Sequence, residues 1–306
     1  MRILCKSVYA DFSGKLRKIA EGKMPRLPEY LKRPIIDTEK TKTVRRILKT
    51  KCLNTVCEGA RCPNKSECYS HNTATFLIMG NVCTRNCRYC NISPARPKPL
   101  DKEEPKHVAE AVKELGLKYA VITSVTRDDL PDGGAEHFKN CVDEIRKISD
   151  AKVEILTPDF KGKKEALDLI IEAKPEVFNH NIETVKALFK TARPQGNYDC
   201  SIEVLKYIKN NSSIVTKSGL MVGLGETMEE IEETLVDLKN AGVDIVTIGQ
   251  YIQPSKLHLE VAKYYTLEEF EELKKLARKV GIKNYQIAPL VRSSYHAMSC
   301  FQESLQ

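Results

Sequence analysis

Thr75-Phe-Leu-Ile-Met79 is followed, three residues later, by Cys83-Thr-Arg-Asn-Cys87-Arg-Tyr-Cys90. The first stretch is an apolar run of strand length, and the second hangs three thiols on the connection that leaves it. Working outward, short apolar runs alternate with amphipathic, charged stretches. Strands are predicted over 75–79, 119–125, 152–157, 176–179, 214–222 and 244–249. Helices are predicted over 105–115, 135–148, 163–173, 182–191, 226–240 and 266–280, with an extra one near 200–210. Gly116, Gly242 and Gly281 stand where a left-handed residue ends a helix. Six β/α pairs in order imply a parallel sheet with right-handed crossovers. Roughly 200 residues are too few for the closed eight-fold barrel, which takes about 250. The expected fold is therefore α/β, a partial (β/α)6 TIM barrel, with an open doubly wound sheet as the alternative. Either would carry its ligands at the carboxyl ends of the strands.

The chain has 306 residues, 42% hydrophobic and 29% charged, which excludes a disordered or collagen-like polymer. No apolar run approaches the roughly 20 residues that cross a bilayer, so no membrane association is expected. The formal charge is +8, yet residues 1–51 alone hold 15 Lys+Arg against 5 Asp+Glu, a net of +10. Basicity confined to an arm argues against a nucleic-acid-binding surface and for a local contact with something acidic. The opening Met-Arg-Ile-Leu-Cys-Lys-Ser lacks an apolar signal core, so a cytoplasmic location is expected. In a reducing compartment eleven cysteines, seven of them within residues 52–90, point to metal ligation rather than disulfides.

Cys83, Cys87 and Cys90 are spaced C-x3-C-x2-C, which would also put three thiols on one face of a helix. Polar intervening residues, Asn86 and Asn91, and Pro94 shortly after all favour a loop. Three thiolates hold three irons of a [4Fe–4S] cluster and leave the fourth open; zinc would need a fourth ligand that is not nearby. A second constellation, Cys57-Glu-Gly-Ala-Arg-Cys62-Pro-Asn-Lys-Ser-Glu-Cys68, is spaced C-x4-C-x5-C. From spacing alone the trio could equally be Cys52, Cys57 and Cys62, or all four could form a zinc knot.

The first motif, with an aromatic before its last cysteine, resembles the signature of the radical S-adenosyl-L-methionine (SAM) superfamily. Both motifs in order resemble the lipoyl synthase family within it. Further matching segments are Thr123-Ser-Val-Thr-Arg-Asp-Asp-Leu-Pro-Asp-Gly-Gly134, Asn179-His-Asn-Ile-Glu183, Thr216-Lys-Ser-Gly-Leu-Met-Val-Gly-Leu-Gly-Glu-Thr227, Gly249-Gln-Tyr-Ile-Gln-Pro-Ser255 and Arg292-Ser-Ser-Tyr-His-Ala297. The likeness covers roughly residues 53–297. It departs at Glu58-Gly59, where the family has Glu-Glu, and Cys52 and Cys300 are not part of the family motif.

The resemblance implies a partial barrel of radical SAM type and a transferase that inserts sulfur at carbons 6 and 8 of a protein-bound octanoyl-lysine, making the lipoyl cofactor. It implies SAM and two [4Fe–4S] clusters. The catalytic one sits on Cys83, Cys87 and Cys90, and the auxiliary one on Cys57, Cys62 and Cys68 with Ser294 as fourth ligand. Asp132, Gly133, Gly134, Asn179 and Glu183 are expected near SAM, although Asp132-Gly-Gly134 is also a plain turn and His180 also reads as a packed polar residue. The implied division is an arm and auxiliary-cluster segment over 1–73, the barrel over 74–284, and a tail over 285–306 that folds back over the barrel mouth and closes over the auxiliary cluster. Implied partners are an octanoylated lipoyl carrier domain or glycine-cleavage H protein, an electron donor such as ferredoxin or flavodoxin, and an iron–sulfur carrier that rebuilds the auxiliary cluster. The rivals are a radical SAM enzyme putting sulfur into a free small molecule, and a non-enzymatic cluster or zinc scaffold.

Overall fold

The computed structural model describes residues 26–34, 38–60, 62–70 and 74–305, so Cys5 and most of the basic arm lie outside the described residues. The elements are, in chain order, α1 (Glu39–Thr50), β1 (Asn54–Thr55), α2 (Val56–Gly59), α3 (Lys65–Ser70), β2 (Thr75–Ile78), β3 (Val82–Cys83), β4 (Ser93–Pro94), α4 (Glu104–Glu114), β5 (Tyr119–Ser124), α5 (Ala135–Ile148), β6 (Lys152–Leu156), α6 (Lys164–Ala173), β7 (Val177–Asn179), α7 (Lys186–Ala192), α8 (Tyr198–Asn211), β8 (Val215–Val222), α9 (Met228–Asn240), β9 (Ile245–Gln250), α10 (Leu267–Val280), β10 (Asn284–Ile287) and α11 (Ala297–Ser304). All six expected β/α units are present.

The main sheet runs β1-β2-β5-β6-β7-β8-β9-β10. Every pairing from β2 to β10 is parallel, and only β1 lies antiparallel, against β2. No pairing joins β10 to β1 or β2 among the described residues, so the barrel is open along one side. The sheet has one parallel strand more than the six expected. β10 was not legible because its Asn-Tyr-Gln-Ile is short and largely polar, and its pairing partner is β9 rather than anything local. Strands such as β2 and β9 are buried throughout, as parallel strands covered on both faces must be.

Helix starts follow local chemistry. Thr227 with Glu230 caps α9 and Thr266 with Glu269 caps α10, each pair satisfying free N–H groups reciprocally. The expected glycines stop α4, α9 and α10, all with positive φ.

The final helix of the tail over 285–306 lies at the amino end of the barrel and not over its carboxyl-end mouth. Ala297 and Phe301 of α11 pack against Tyr119, Val121, Val177 and Val215, all near the starts of their strands. The Tyr119 and Phe301 rings lie 5.9 Å apart. Pleat alternation puts these apolar residues on the inner face.

Above that plug lies a buried charged network. Lys217 Nζ sits 3.1 and 3.3 Å from the Glu154 carboxylate, which also accepts from Tyr119 Oη at 2.8 Å and Asn179 Nδ2 at 3.0 Å. Both charged side chains are essentially inaccessible, so breaking the pair strands an ion. Lys217→Met should therefore destabilise the chain by about 3–5 kcal/mol, and Lys217→Met with Glu154→Leu by distinctly less. Urea unfolding of the two variants checks the ordering.

Candidate functional site

The segment from Cys83 to Cys90 is a loop, as its polar residues predict, with a turn closed by Cys90 N–H donating to Cys87 O at 3.0 Å. Its first half is anchored twice. Thr84 N–H and Oγ1 both donate to Thr126 O, at 3.1 and 2.9 Å. Arg85, almost wholly buried, donates to Asp128 at 2.7 and 2.9 Å and to Asp159 through two contacts of 2.6 Å. One guanidinium thus ties the loop after β2 to the loops after β5 and β6. Burial pushes the Asp159 carboxyl up, but the hydrogen bonds and charge of Arg85 win and hold it well below the usual carboxylate range. Sequence reasoning missed this arrangement, although Arg85 and Asp128 both lay inside quoted motifs. Nothing local says which carboxylate an arginine will meet.

Backbone donors point at the sulfurs themselves. Arg85 N–H and Thr126 N–H approach Cys83 Sγ at 3.4 and 3.3 Å, and Ile92 N–H approaches Cys90 Sγ at 3.5 Å. Burial pushes the Cys90 thiol up to about 12, with Ile92 N–H opposing, and raises Cys87 against the pull of Arg193. Buried thiols held neutral in this way become ligands when a metal centre displaces their protons. Donors aimed at sulfur are the environment an iron–sulfur thiolate prefers.

Around this loop stand the ends of β7 and α7. Glu183 holds φ +71°, a strained conformation for a side chain with Cβ. Burial raises its carboxyl, while Arg193, Asn181 and Tyr89 favour its charged form. Arg193 is buried over the Phe189 ring and donates to Asn181 O at 3.2 Å. His180 Nδ1 donates to Thr157 O at 2.9 Å, and its buried Nε2 has no partner. Burial first, then Arg193, lower its pKa to about 4, so it stands neutral with a free acceptor. Asn179 is turned inward to Glu154, and its Oδ1 is left over. Asp132 accepts from Gly134 N–H and Glu136 N–H at 3.0 and 2.8 Å, capping α5, and a Cβ on Gly134 would lie 2.3 Å from Met79 Sδ. Helix capping and close packing account for that turn as it stands.

The second constellation lies at the other end of β2. Cys57, Cys62 and Cys68 share a pocket with Ala74 and Thr75 at the start of that strand, and with Asn64, Arg292, Ser294 and Tyr295. Burial pushes Cys57 up to about 11 and Cys68 up to about 12, and the charge of Cys62 adds to both. Asn64 Nδ2 donates to Leu290 O at 2.7 Å and Tyr295 Oη to Glu67 at 2.8 Å, so the C-terminal strip is stapled over the cysteines. That strip passes close to β9: a Cβ on Gly249 would fall 2.1 Å from Val291 O, so only glycine fits there. The two serines diverge. Ser293 Oγ accepts from Asn181 Nδ2 at 2.7 Å, whereas Ser294 lines the cysteine pocket. Cys52 is exposed at φ +54° outside the pocket lining, and Cys300 is buried beside Lys217 and Glu154. Asn91 Nδ2 donates to Gly59 O at 2.8 Å and joins the two cysteine segments.

Among the described residues, no three Cys, His, Asp or Glu side chains meet closely enough to chelate one ion. A cubane asks something different, since each thiolate binds its own iron. Three thiols with a hydroxyl beside them, and three thiols with sulfur-directed donors, both suit that donor chemistry.

The sequence model of the Radical SAM superfamily matches residues 77–238. A lipoyl synthase of Caldanaerobacter subterraneus subsp. tengcongensis is 51% identical over 273 residues, covering 89% of this chain and 96% of that protein. One from Rubrobacter xylanophilus is 51% identical over 272 residues, covering 88% of this chain and 85% of that one. Among solved structures, methylornithine synthase superposes with a TM-score of 0.53 at 14% identity, over 88% of this chain and 77% of that one, a likeness of fold alone. With half its residues shared over nearly nine-tenths of its length, the chain belongs to the lipoyl synthase family of radical SAM enzymes.

Proposed function

We propose that the chain inserts two sulfur atoms, at carbons 6 and 8, into an octanoyl group amide-linked to a lysine of a lipoyl carrier domain or glycine-cleavage H protein. Family membership brings SAM and a [4Fe–4S] cluster. The observation that carries the finer reading is the separation of two cysteine trios by one strand. β2 has four residues, about 13 Å at 3.3 Å each, with one trio beyond its carboxyl end and the other beside its start. Such a spacing is comparable to the length of an extended acyl chain reaching between two centres of different duty. When bound, SAM and the Cys83/Cys87/Cys90 cluster supply a 5′-deoxyadenosyl radical for hydrogen abstraction, and a second cluster on Cys57, Cys62 and Cys68 supplies sulfide.

The chain's own residues divide the remaining work. Arg85, with Asp128 and Asp159, holds the carboxyl-end loop rigid. Neutral His180 offers an acceptor, and Asn179 and Glu183 offer polar atoms to SAM; Gly133 and Gly134 let backbone approach it, with Asp132 fixing their turn. Ser294, which lines the pocket of Cys57, Cys62 and Cys68, would hold the fourth position on a second cluster. A hydroxyl is a poor partner for soft iron–sulfur chemistry, which suits a ligand that must leave. The basic arm would meet an acidic carrier, and turnover needs a one-electron donor of ferredoxin or flavodoxin type and an iron–sulfur carrier to rebuild the consumed cluster. Sulfur insertion into a free small molecule is the less favoured reading, because the relatives quoted above are lipoyl synthases.

Two comparisons test the reading with anaerobically reconstituted protein, reductant, SAM and an octanoylated carrier peptide. Cys87→Ala should make no 5′-deoxyadenosine and retain half its iron, whereas Cys62→Ala should still cleave SAM and insert no sulfur. Mass spectrometry of the peptide with iron analysis decides; normal SAM cleavage by Cys87→Ala would sink the assignment. Ser294→Ala should lower sulfur insertion by roughly 100-fold with SAM cleavage persisting, as loss of a metal-site contact does. Cys300→Ala should form product normally. Full activity in Ser294→Ala with an inactive Cys300→Ala would transfer the ligand role to the cysteine.

A further inference from the structure

The connection between β9 and α10 runs from Tyr251 to Thr266 without helix or strand. Its ends are pinned to its own strand. The Gln250 side chain donates to Tyr251 O and Lys263 O, both at 3.0 Å, and accepts from Tyr265 N–H at 2.9 Å. Between those pins the segment crosses the carboxyl face to the loop of Cys83 to Cys90. Leu259 N–H donates to Arg88 O at 2.9 Å, and buried Tyr251 donates its hydroxyl to Leu259 O at 2.7 Å. His258 Nε2 lies 3.0 Å from Cys90 O, and its Nδ1 lies 2.9 Å from Ser255 Oγ.

The contact with Cys90 fixes one proton of the ring. Cys90 O only accepts, so Nε2 carries the hydrogen and donates it. In the neutral ring Nδ1 then accepts from the Ser255 hydroxyl, whose oxygen accepts in turn from Leu257 N–H at 3.2 Å. Gln253 Nε2 donates to His258 O at 3.0 Å and fixes the backbone from which the ring projects. The first half of the cysteine loop has Arg85 and its two carboxylates as anchor. The half bearing Cys90 has no such pair. Its backbone is held from one side by the end of α7, where Arg88 N–H donates to Ala192 O at 2.8 Å, and from the other by this strap.

We infer that His258 is a positioning residue for the cysteine loop: by tying Cys90 O to the β9–α10 strap across the open side of the sheet, it sets the place of the third thiolate. The inference rests on the reading that Cys83, Cys87 and Cys90 hold the SAM-binding cluster. No motif gives His258 this duty, because its partner is 168 residues away.

The test uses the full chain, anaerobically reconstituted, as wild type, His258→Leu, His258→Gln and Ser255→Ala. The readout is the electron paramagnetic resonance signal that shifts when SAM is added, followed as a chelator removes iron. In His258→Leu that signal should be broadened and should decay roughly tenfold faster, the size expected for loss of an outer hydrogen bond at a metal site. His258→Gln, whose amide still donates to Cys90 O, should restore most of the difference, and Ser255→Ala should fall between. A wild-type lineshape and decay in His258→Leu would overturn the inference, as would equal impairment by Leu and Gln. If His258→Leu does not fold, Ser255→Ala decides: faster decay supports the strap, and a wild-type rate overturns it. A wild-type protein with no SAM-responsive signal would overturn the cluster reading itself, and this inference with it.

Discussion

A parallel sheet that stops short of closure leaves two strands with unpaired N–H and C=O groups, and an open sheet edge must be covered or paired. Here those edges belong to β10 and to the β1–β2 side, and nearly everything distinctive about the chain is what covers them. β1 pairs antiparallel on β2, and α2, α3 and the connection between them carry three cysteines beside the start of that strand. From the other side the strip after β10 crosses close to β9, at Gly249, and is stapled to the first segment through Asn64 and Tyr295. A pocket with Cys57, Cys62, Cys68 and Ser294 forms at this seam because two ends of the chain must meet there.

The carboxyl end answers the same opening in another way. Strands of a closed barrel would brace the loop after β2 from both sides. In the open form it leans on β5 and β6 through Arg85 and on α7 through Arg88 N–H, which donates to Ala192 O at 2.8 Å. The strap from β9 reaches it over the gap. A buried arginine with two carboxylates is costly to desolvate and strongly orienting once formed, which suits a loop whose thiols need fixed separations.

Electrostatically the two cysteine sites are alike and the barrel interior differs. At both sites burial disfavours bare thiolates, an environment in which a bound metal centre would balance the charge. Between them Lys217 and Glu154 are already balanced, and an apolar layer beneath packs against α11 at the amino end.

The sequence by itself determined the features that depend on near neighbours: six β/α units from apolar periodicity, helix stops at Gly116, Gly242 and Gly281, a loop at Cys83 to Cys90, and the spacing of both cysteine motifs. It left open which cysteines share a pocket, because the C-x4-C-x4-C of Cys52, Cys57 and Cys62 is as regular as the C-x4-C-x5-C that ends at Cys68. Only tertiary structure turned Cys52 outward, sent Cys300 to the barrel floor, directed Ser293 to Asn181 and Ser294 to the cysteines, and carried the tail to the amino end rather than the mouth. The partners of Arg85 and His258 were equally invisible. The physical reason is the same in each case. Periodicity reports a residue's relation to its own helix or strand, whereas the partner of a hydrogen bond or a ligand set is chosen by strands that meet only after the sheet has formed.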